Sequence, residues 1–350
     1  MEFSAKRMGN NIAIRRGPAI LCRRVGFEAR AGTSKARRNK GLMIQLSNVR
    51  KEFGRRVAVN DLSLAVPSGE IFGLLGHNGA GKSTAIGMML GQVWPTAGAV
   101  RVCGHDVTRH RARALQKVGA IFESPAFYDY LSGWRNLEIL STYTAPTSPQ
   151  RIREVLDWVG LSQREHSPVR TYSHGMRARL ALAQALLPHP ELLILDEPGE
   201  GLDPEGIHEI RQTVLRLHRE LGLTILLSSH LLSEVEQLCT RIAVLHNGRR
   251  VFQGRLEETR RRNHWVRLQV SDFAAAVRVL ENAGSISNHR EGERIALCPG
   301  VETDEVVRRL VAADIAVFEI AREADSLESF YLSLMSDYRG EKGAASEPEA

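Results

Sequence analysis

The stretch of sequence that decides the fold is Gly76-His77-Asn78-Gly79-Ala80-Gly81-Lys82-Ser83-Thr84. It follows the apolar run 71–75 and precedes a helix-like stretch at 85–90. A strand, a glycine-rich turn and a helix form the context that the G-x-x-x-x-G-K-[ST] phosphate loop requires. Glycines let the backbone wrap closely around a polyphosphate, and the amide N–H groups at the helix start favour negative charge. This stretch therefore predicts that the chain binds a nucleoside triphosphate.

Two side chains of this loop predict specific contacts with the bound nucleotide. Lys82 supplies a point charge for the β- and γ-phosphates, and the Ser83 hydroxyl can complete the ligand shell of Mg²⁺. A glycine-rich turn also serves as an ordinary helix entry. The lysine, the hydroxyl and the preceding strand together favour the phosphate loop, so we expect Mg²⁺ to accompany the triphosphate.

Length and composition indicate a globular chain with room for one large domain and a smaller one, since 43% of its 350 residues are hydrophobic. No window approaches the roughly 18 consecutive apolar residues of a transmembrane helix. The four cysteines lack CxxC or zinc-like spacing, and they predict reduced, partly buried thiols in a reducing compartment. They are Cys22, Cys103, Cys239 and Cys298.

The basic character of the chain lies almost entirely in residues 1–42. This segment holds eleven Lys and Arg against two Glu, so the rest of the chain carries −2 of a total net charge of +7. Nucleic-acid binding therefore cannot be argued from the overall charge. We expect a basic, disordered leader at 1–42, or sequence that precedes a start at Met43. An organelle-targeting segment and an arm that contacts phosphates or a membrane are the alternatives.

From Met43 onward, hydrophobic patterning predicts an α/β domain over residues 43–255. Strand-like runs occur at 44–49, 57–66, 100–103, 118–122, 192–195, 223–227 and 242–245. Helix-like segments occur at 132–143, 149–159, 172–187 and 205–221. The second has Ser148 as its N-cap and Pro149 in its first turn, and Asp203 caps the fourth. All-apolar runs such as 192–195 are typical of strands buried in a parallel sheet. We therefore expect a P-loop NTPase core, a mostly parallel sheet flanked by helices, with a helical subdomain at about 124–187.

Residues 256–338 have a different pattern, in which short strand-like and helix-like stretches alternate. The strand-like stretches lie at 266–270, 295–297 and 316–320, and the helix-like ones at 274–280, 304–311 and 327–334. This alternation predicts a small C-terminal α+β domain. From residue 339 the sequence is rich in Gly, Glu, Ala and Ser, so we expect a disordered tail at 339–350.

Polar residues follow two of the buried strands, at the ends where α/β sheets bind ligands. Asp196 and Glu197 come directly after the run 192–195, and His230 follows the next strand. Because adjacent side chains diverge, we expect Asp196 to face the metal and Glu197 to face the attacking water as general base. His230 is expected to donate to the γ-phosphate. A strand-end Asp-Glu pair can also cap a turn, but its position beside a phosphate loop favours chemistry.

Five motifs, taken in chain order, resemble those of the ATP-binding cassette (ABC) ATPases over residues 44–255. They are 76–84, Tyr172-Ser173-His174-Gly175-Met176, 193–198, Gly201-Leu202-Asp203 and His230. The resemblance implies that the nine loop residues bind ATP and that two cassettes dimerise head to tail. In such a dimer, Ser173 and Gly175 contact the nucleotide of the opposite copy, and Asp203 crosses the interface.

Phe53 precedes Gly54 between the first two strand-like runs. From the residues alone, it is equally a stacking partner for a purine and a core phenylalanine at a strand end. The resemblance favours stacking, because ABC ATPases place an aromatic side chain against adenine at this position.

The signature motif departs from the commonest form of the family, Leu-Ser-Gly-Gly-Gln. Ser173 and Gly175, the positions nearest to phosphate in the family, are retained. His174 and Met176 replace residues whose side chains can point away from the nucleotide, so we expect the motif to keep its function.

A second departure is Glu123, which stands where the family has a glutamine that contacts the metal and water. A carboxylate adds charge near Mg²⁺ and the γ-phosphate, so it must be metal-bound, screened or partly protonated. We expect Glu123 to contact the metal and nucleotide and to link nucleotide state to a membrane partner. The surrounding sequence, with 131–133, is similar to the bacitracin-resistance and lantibiotic-immunity branch, where glutamate is typical.

The resemblance implies an ATP-hydrolysing subunit of an exporter for a drug, antibiotic or antimicrobial peptide. Such a subunit homodimerises on ATP, drives separate ABC-2 permease subunits and lies in the cytoplasm against the inner face of the cell membrane, with no nucleic-acid partner. The stretch 326–331 is similar to the ending of ATPases paired with such permeases, and we interpret it as docking or regulatory. A soluble ABC-type ATPase acting on ribosomes or nucleic acid is the alternative, favoured only by the leader. A P-loop kinase would leave residues 172–176 unexplained.

Overall fold

The computed structural model describes residues 41–122, 126–143, 147–260, 265–290, 293–322 and 326–343, so residues 1–40, Glu123 and residues 344–350 lie outside the described part. The strands are β1 (Leu42–Phe53), β2 (Arg56–Pro67), β3 (Ile71–Leu75), β4 (Ala97–Val102), β5 (His105–Asp106), β6 (Val118–Ile121), β7 (Leu192–Asp196), β8 (Thr224–Ser229), β9 (Arg241–His246), β10 (Arg249–Arg255), β11 (Trp265–Val270), β12 (Ile286–Arg290), β13 (Arg294–Leu297) and β14 (Val317–Arg322). The helices are α1 (Lys82–Met89), α2 (Arg111–Leu115), α3 (Gly133–Ser141), α4 (Pro149–Trp158), α5 (His174–Leu186), α6 (Pro204–Leu221), α7 (Leu232–Leu238), α8 (Leu256–Arg260), α9 (Phe273–Asn282), α10 (Thr303–Ala312) and α11 (Leu327–Gly343). Within these described ranges, no helix combines the length and apolarity needed to cross a membrane.

A six-stranded sheet with the order β10-β9-β3-β8-β7-β6 positions the site. Its strands β3, β6, β7, β8 and β9 run parallel, and β10 pairs antiparallel with β9 at one edge. Every residue of β3, β7 and β8 is buried, as apolar runs predict for strands covered on both faces. The register pairs Leu75 with Ser229 and Asp196 with Ser228, so these three strands end at one edge. The predicted mostly parallel sheet is confirmed.

A second, antiparallel sheet has the order β2-β1-β4-β5. Its apolar side chains share a buried core with α1 and with β3, including Ile44, Leu62, Phe72 and Ile86. This packing brings β2 against the loop between β3 and α1. A Cβ on Gly81, where φ is +103°, would lie 2.8 Å from the carbonyl oxygen of Ala58. Only glycine fits this approach without displacing backbone.

Three helices, α3, α4 and α5, lie between β6 and β7 in the chain and pack on one another around buried Leu137, Val155 and Leu180. Ser148 caps α4 by accepting from the amide of Arg151 at 3.2 Å, and Pro149 occupies the first turn, as the sequence predicts. The helical subdomain therefore has its expected capping, and each observed helix bound lies within two residues of the predicted one.

The C-terminal part forms a β-α-β-β-α-β unit from β11 to β14. Its sheet has the order β12-β13-β11-β14 with every neighbouring pair antiparallel, which is the ferredoxin-like arrangement. The buried faces of α9 and α10 pack on the sheet around Val266, Leu268, Leu280, Val306 and Leu310. The predicted small α+β appendage is confirmed, with a specific topology that the sequence pattern did not give.

Two helices extend beyond their predicted limits. α1 begins at Lys82, three residues before the expected stretch, because the last three residues of the loop, 82–84, already form its first turn. α11 continues to Gly343, so the disordered tail predicted from Arg339 begins inside a helix. That prediction was wrong for residues 339–343, because hydrophobic periodicity stops near Leu334 while the backbone stays helical.

The described cysteines agree with the expectation of reduced, partly buried thiols. Cys103, Cys239 and Cys298 are free in the part of the chain that the structure covers. Burial raises the pKa of the Cys103 thiol to about 11 and raises the pKa of the Cys239 thiol further. Both side chains therefore stay protonated at neutral pH and are poor nucleophiles.

We predict that Gly119→Ala destabilises the fold by about 1–3 kcal/mol. Gly119 lies in β6, where a Cβ would approach the carbonyl oxygen of Ala185 to 2.0 Å, so β6 and α5 would have to separate. Urea unfolding followed by circular dichroism measures the change. Gly41→Ala is the control, because nothing lies within 4 Å of its Cβ position. Equal midpoints for the two variants would contradict the proposed packing.

Candidate functional site

The loop 76–84 follows β3 and wraps around the start of α1. The amide of Ala80 donates to the carbonyl oxygen of His77 at 3.0 Å, which closes the turn. The carbonyl oxygen of Ala80 accepts from the amide of Gly248 at 2.9 Å, so the β9–β10 turn supports the loop from behind. Gly81 adopts the left-handed conformation at the N-cap of α1. Free amides at the start of a helix suit an anion in front of this loop.

Lys82 is buried and directed into the loop. Its Nζ donates to the carbonyl oxygen of Gly76 at 2.7 Å and lies 3.2 Å from Oε1 of Glu197. The lysine side chain is only 5% exposed, so its charge is held in place by these two oxygens. The structure thus brings together the predicted phosphate-binding cation and the predicted general base.

Glu197 lies between Lys82 and His230. Its Oε2 is 2.7 Å from Nδ1 of His230 and accepts from the amide of His230 at 3.2 Å. Its backbone has φ of +48°, an unusual conformation for a residue with a side chain, which occurs at functional sites. The amide of Glu197 donates to Oγ of Ser228 at 3.0 Å and helps to hold this conformation. The start of α1 and the ends of β7 and β8 therefore meet at one carboxylate.

Asp196 takes a different partner from its neighbour. Its carboxylate accepts from the hydroxyl of Ser228 and is largely buried. Asp196, Glu197 and Ser83 all line one cavity of about 680 Å³ between the sheet and α5. The expected divergence of the Asp-Glu pair is present, since Asp196 and Glu197 contact different groups.

The oxygens of Ser83 and Asp196 fit a Mg²⁺ site in their chemistry. Mg²⁺ prefers hydroxyl, carboxylate, water and phosphate oxygens, and it is usually bound through one or two carboxylates together with substrate phosphates. Across the described ranges, no cluster of three or more His, Cys, Asp or Glu is arranged to hold a metal. A metal at this edge therefore needs oxygen ligands beyond the Ser83 hydroxyl and the Asp196 carboxylate.

A second cavity, of about 310 Å³, lies in front of the loop. Nine predicted residues line it: His77, Asn78, Gly79, Gly81, Lys82, Ser83, Thr84, Glu197 and His230. Gly76 and Ala80 do not; their carbonyl groups hold Lys82 and the β9–β10 turn instead. Phe53 is half exposed, with Nζ of Lys51 4.7 Å from its ring centroid, so the interpretation as a core phenylalanine was wrong.

Three residues predicted to act across a dimer serve as helix caps or lie at helix starts. Oγ of Ser173 caps α5 by accepting from the amide of Met176 at 3.2 Å, and Asp203 caps α6 by accepting from the amide of Gly206 at 2.9 Å. Within the described part, neither these two residues nor Gly175 line the cavity in front of the loop of their own chain. One copy of the chain therefore does not bring its two groups of predicted residues together.

The other signature residues differ from each other. Met176 packs on the apolar core, as expected of a side chain that points away from the nucleotide. His174 instead lines the 680 Å³ cavity that it shares with Asp196 and Glu197. Glu123 lies outside the described residues.

Sequence reasoning missed residues that support or border the site. Ser228 binds both Asp196 and Glu197, and its position directly before Ser229 and His230 at a strand end could have identified it. Arg56 lines the cavity in front of the loop, three residues after Phe53 in the hairpin. Arg56 adds a positive charge where phosphates are expected.

Glu234, on α7, is a buried carboxylate behind the site. Its Oε2 accepts from the hydroxyl of Ser229 at 3.0 Å, while Oε1 lies against Gly199 and has no hydrogen-bond partner within the described part. Burial raises the pKa of Glu234, and the nearby Glu197 carboxylate raises it further. The hydrogen bond from Ser229 opposes these effects only in part. No sequence pattern signalled this residue.

Comparison with known proteins gives concordant similarities. A family model described as ABC transporter matches residues 59–200. An uncharacterized ABC transporter ATP-binding protein YhcH of Bacillus subtilis is 40% identical over 300 residues, which cover 85% of this chain and 98% of that protein. The bacitracin transport ATP-binding protein BcrA of Enterococcus faecalis is 37% identical over 296 residues, covering 84% of this chain and 96% of BcrA.

A solved structure agrees with the sequence similarities. It is a dimeric post-hydrolysis state of an ATP-binding cassette bound to ADP and phosphate. It is 25% identical with a TM-score of 0.55, and the match covers 61% of this chain and 99% of that one.

We predict that Glu234→Gln raises thermal stability at pH 8 but not near pH 4. The folded-state pKa of Glu234 lies above its unfolded value, so the wild-type protein loses stability as pH rises through the interval between them. Glutamine keeps the shape and the acceptor for Ser229 without the charge. We expect a gain of roughly 2–4 °C at pH 8, the scale of about 1 kcal/mol.

Differential scanning calorimetry between pH 4 and 8 measures this difference. The control is Glu236→Gln on the same helix, where the side chain is less buried, and we expect no pH-dependent gain there. A gain for Glu234→Gln that is constant across the pH range would show that burial of charge is not its cause.

Proposed function

The chain belongs to the ABC transporter ATP-binding proteins and is an ATPase. We propose that it is the nucleotide-hydrolysing subunit of an exporter and that it drives a separate membrane permease. The observation that carries the hydrolytic role is the position of Glu197 between Lys82 and His230. Glu197 and His230 follow β7 and β8, and Lys82 begins the helix after β3, so all three lie at the edge where these strands end. Sheets of this type bind ligands at that edge.

In this proposal, Glu197 accepts the proton of the water that attacks the γ-phosphate, and the bond from the γ-phosphorus to the bridging oxygen breaks. Lys82 and His230 stabilise the charge on the transferred phosphoryl group. The nucleotide would displace contacts of Lys82, which binds the Gly76 carbonyl oxygen and the Glu197 carboxylate. A γ-phosphate that takes over Lys82 frees the Glu197 carboxylate for water.

Two residues are proposed to hold the metal. The Ser83 hydroxyl and the Asp196 carboxylate line one cavity, and Ser228 orients the carboxylate through its hydrogen bond. When bound, Mg²⁺ would neutralise charge on the β- and γ-phosphate oxygens. We also assign Glu123 a contact with metal and nucleotide, on the strength of the family resemblance alone. Phe53 is proposed to stack on adenine, which its exposed ring permits.

Two copies of the chain are proposed to form each complete site. Ser173 and Gly175 lie at the start of α5, a helix of 13 residues whose N-terminal end favours a phosphate. Because they do not line the nucleotide cavity of their own chain, a second copy is the means by which they reach one. Asp203, at the start of α6, is proposed to lie at the same interface. The similar cassette bound to ADP and phosphate is a dimer.

Export is proposed from the relatives rather than from the chemistry of this chain. BcrA of Enterococcus faecalis, which is 37% identical over almost its whole length, is described as a bacitracin transport ATP-binding protein. An antibiotic or antimicrobial peptide is therefore the proposed class of cargo, carried by ABC-2 type permease subunits at the inner face of the membrane. The ATPase would be held there through the permease.

We predict that Glu197→Gln lowers ATP hydrolysis by about 100- to 10,000-fold, the contribution of a positioned general base. The variant should still bind ATP, because it also loses the carboxylate that competes for Lys82. With ATP and Mg²⁺ it should accumulate as a dimer in size-exclusion chromatography with light scattering. The control is Glu257→Gln, an exposed change on α8. A strictly monomeric Glu197→Gln protein with wild-type turnover would overturn the proposal.

We predict that hydrolysis responds to a permease and not to nucleic acid. The purified chain is mixed with a multi-span membrane protein encoded beside its gene, reconstituted in lipid vesicles, and in parallel with RNA or duplex DNA. We expect at least about a two-fold change in ATP turnover with the permease alone, because coupling between sites is typically larger than that. Stimulation by nucleic acid without a response to the permease would favour the ribosome- or nucleic-acid-directed alternative.

A further inference from the structure

The C-terminal helix α11 packs back on the first sheet. Leu327 and Phe330 belong to the stretch 326–331, which we interpret from the sequence as docking or regulatory. Both are buried in the same core as β3, β7 and β8. The Phe330 ring meets the Phe252 ring of β10 edge to face, with centroids 4.9 Å apart. Leu327 and Phe330 therefore pack against other residues of the same chain.

Further along α11, a line of three rings reaches the phosphate loop. The Tyr338 ring lies edge-on to the His246 ring with centroids 5.2 Å apart. The His246 ring in turn lies edge-on to the His77 ring at 5.1 Å. His77 belongs to the loop, lines the cavity in front of it, and contacts the carbonyl oxygen of Asn78 at 2.7 Å.

His246 stands at a point where the loop is already supported. It ends β9, the strand beside β3, and the turn that follows it donates from the amide of Gly248 to the carbonyl oxygen of Ala80. The carbonyl oxygen of Gly248 accepts from the amide of Asn60 in β2. A displacement of His246 therefore acts on the loop at two places, His77 and Ala80.

The same helix also reaches the other side of the site. α11 packs against α7, which begins two residues after His230. The helix α11 thus contacts His246, which supports the phosphate loop, and also α7, which follows His230 in the chain.

We infer that Tyr338 is a positioning residue for nucleotide binding, which acts through His246 on His77 and holds the phosphate loop in its binding conformation. The C-terminal helix is in this sense part of the nucleotide site. Because edge-to-face ring contacts are weak individually, the effect is a change in affinity and not an on-off switch. By reciprocity, bound nucleotide stabilises the docked position of α11. The inference needs only nucleotide binding at the loop and holds whether or not a permease is the partner.

The test compares Tyr338→Ala, Tyr338→Phe and the control Leu332→Ala in the full-length chain. Leu332 is an exposed apolar residue on the same helix, 61% accessible. We expect Tyr338→Ala to raise the Kd for ATP and the KM about 2- to 10-fold with kcat within about two-fold, the scale of one aromatic contact. Tyr338→Phe keeps the ring and should match the wild type, as should Leu332→Ala.

Isothermal titration calorimetry gives the Kd, and steady-state kinetics separates KM from kcat. An unchanged Kd and KM in Tyr338→Ala would overturn the inference. Equal defects in Tyr338→Ala and Tyr338→Phe would also overturn it, because they would assign the effect to the hydroxyl and not to the ring.

Hydrogen exchange distinguishes a local effect on α11 from a general loss of stability. In the wild-type chain, ATP should slow amide exchange in residues 327–343, and in Tyr338→Ala this protection should be reduced. Exchange in α9, which belongs to the separate core of the ferredoxin-like unit, should respond equally little in both proteins. Identical exchange of α11 with and without ATP in the wild type would contradict the coupling.

Discussion

The site depends on the register of three buried parallel strands. β3, β7 and β8 are hydrogen-bonded neighbours whose last residues lie at one edge, with Leu75 opposite Ser229 and Asp196 opposite Ser228. A shift of one residue in either pairing would turn Asp196 and Ser228 to the other face of the sheet. The full burial of these strands fixes the register and therefore the contacts among Lys82, Glu197 and His230.

Within this frame, the charged groups of the site contact one another. Lys82 binds the Gly76 carbonyl oxygen and the Glu197 carboxylate, and the same carboxylate contacts His230. A buried lysine without such partners would be costly, since charge is strongly disfavoured away from water. In the proposed function, nucleotide binding is therefore an exchange of partners for these three groups.

Local and periodic features of the sequence predicted most helices and strands of the cassette. They predicted few of the contacts between distant elements that support its site. The apolar run 192–195 and the caps Ser148 and Asp203 have local causes, so they were correctly placed. Glu234 and the ring contact of Tyr338 with His246 join elements far apart in sequence, which no local pattern records. β12 was missed because its sequence, Ile-Ser-Asn-His-Arg, is polar at an edge of its sheet. The roles proposed for Ser173, Gly175 and Asp203 need a second copy, which one chain does not display.

The topology of the ferredoxin-like unit has an architectural consequence. Its first strand, β11, is the antiparallel neighbour of its last, β14, and Val266 pairs with Arg322. The chain thus enters and leaves the unit at one place, although more than fifty residues lie between. The unit is therefore an insertion between α8 and α11, and its first and last strands lie side by side. Its sequence can diverge, or be exchanged for another fold, without changing the span that α11 must bridge to reach the cassette.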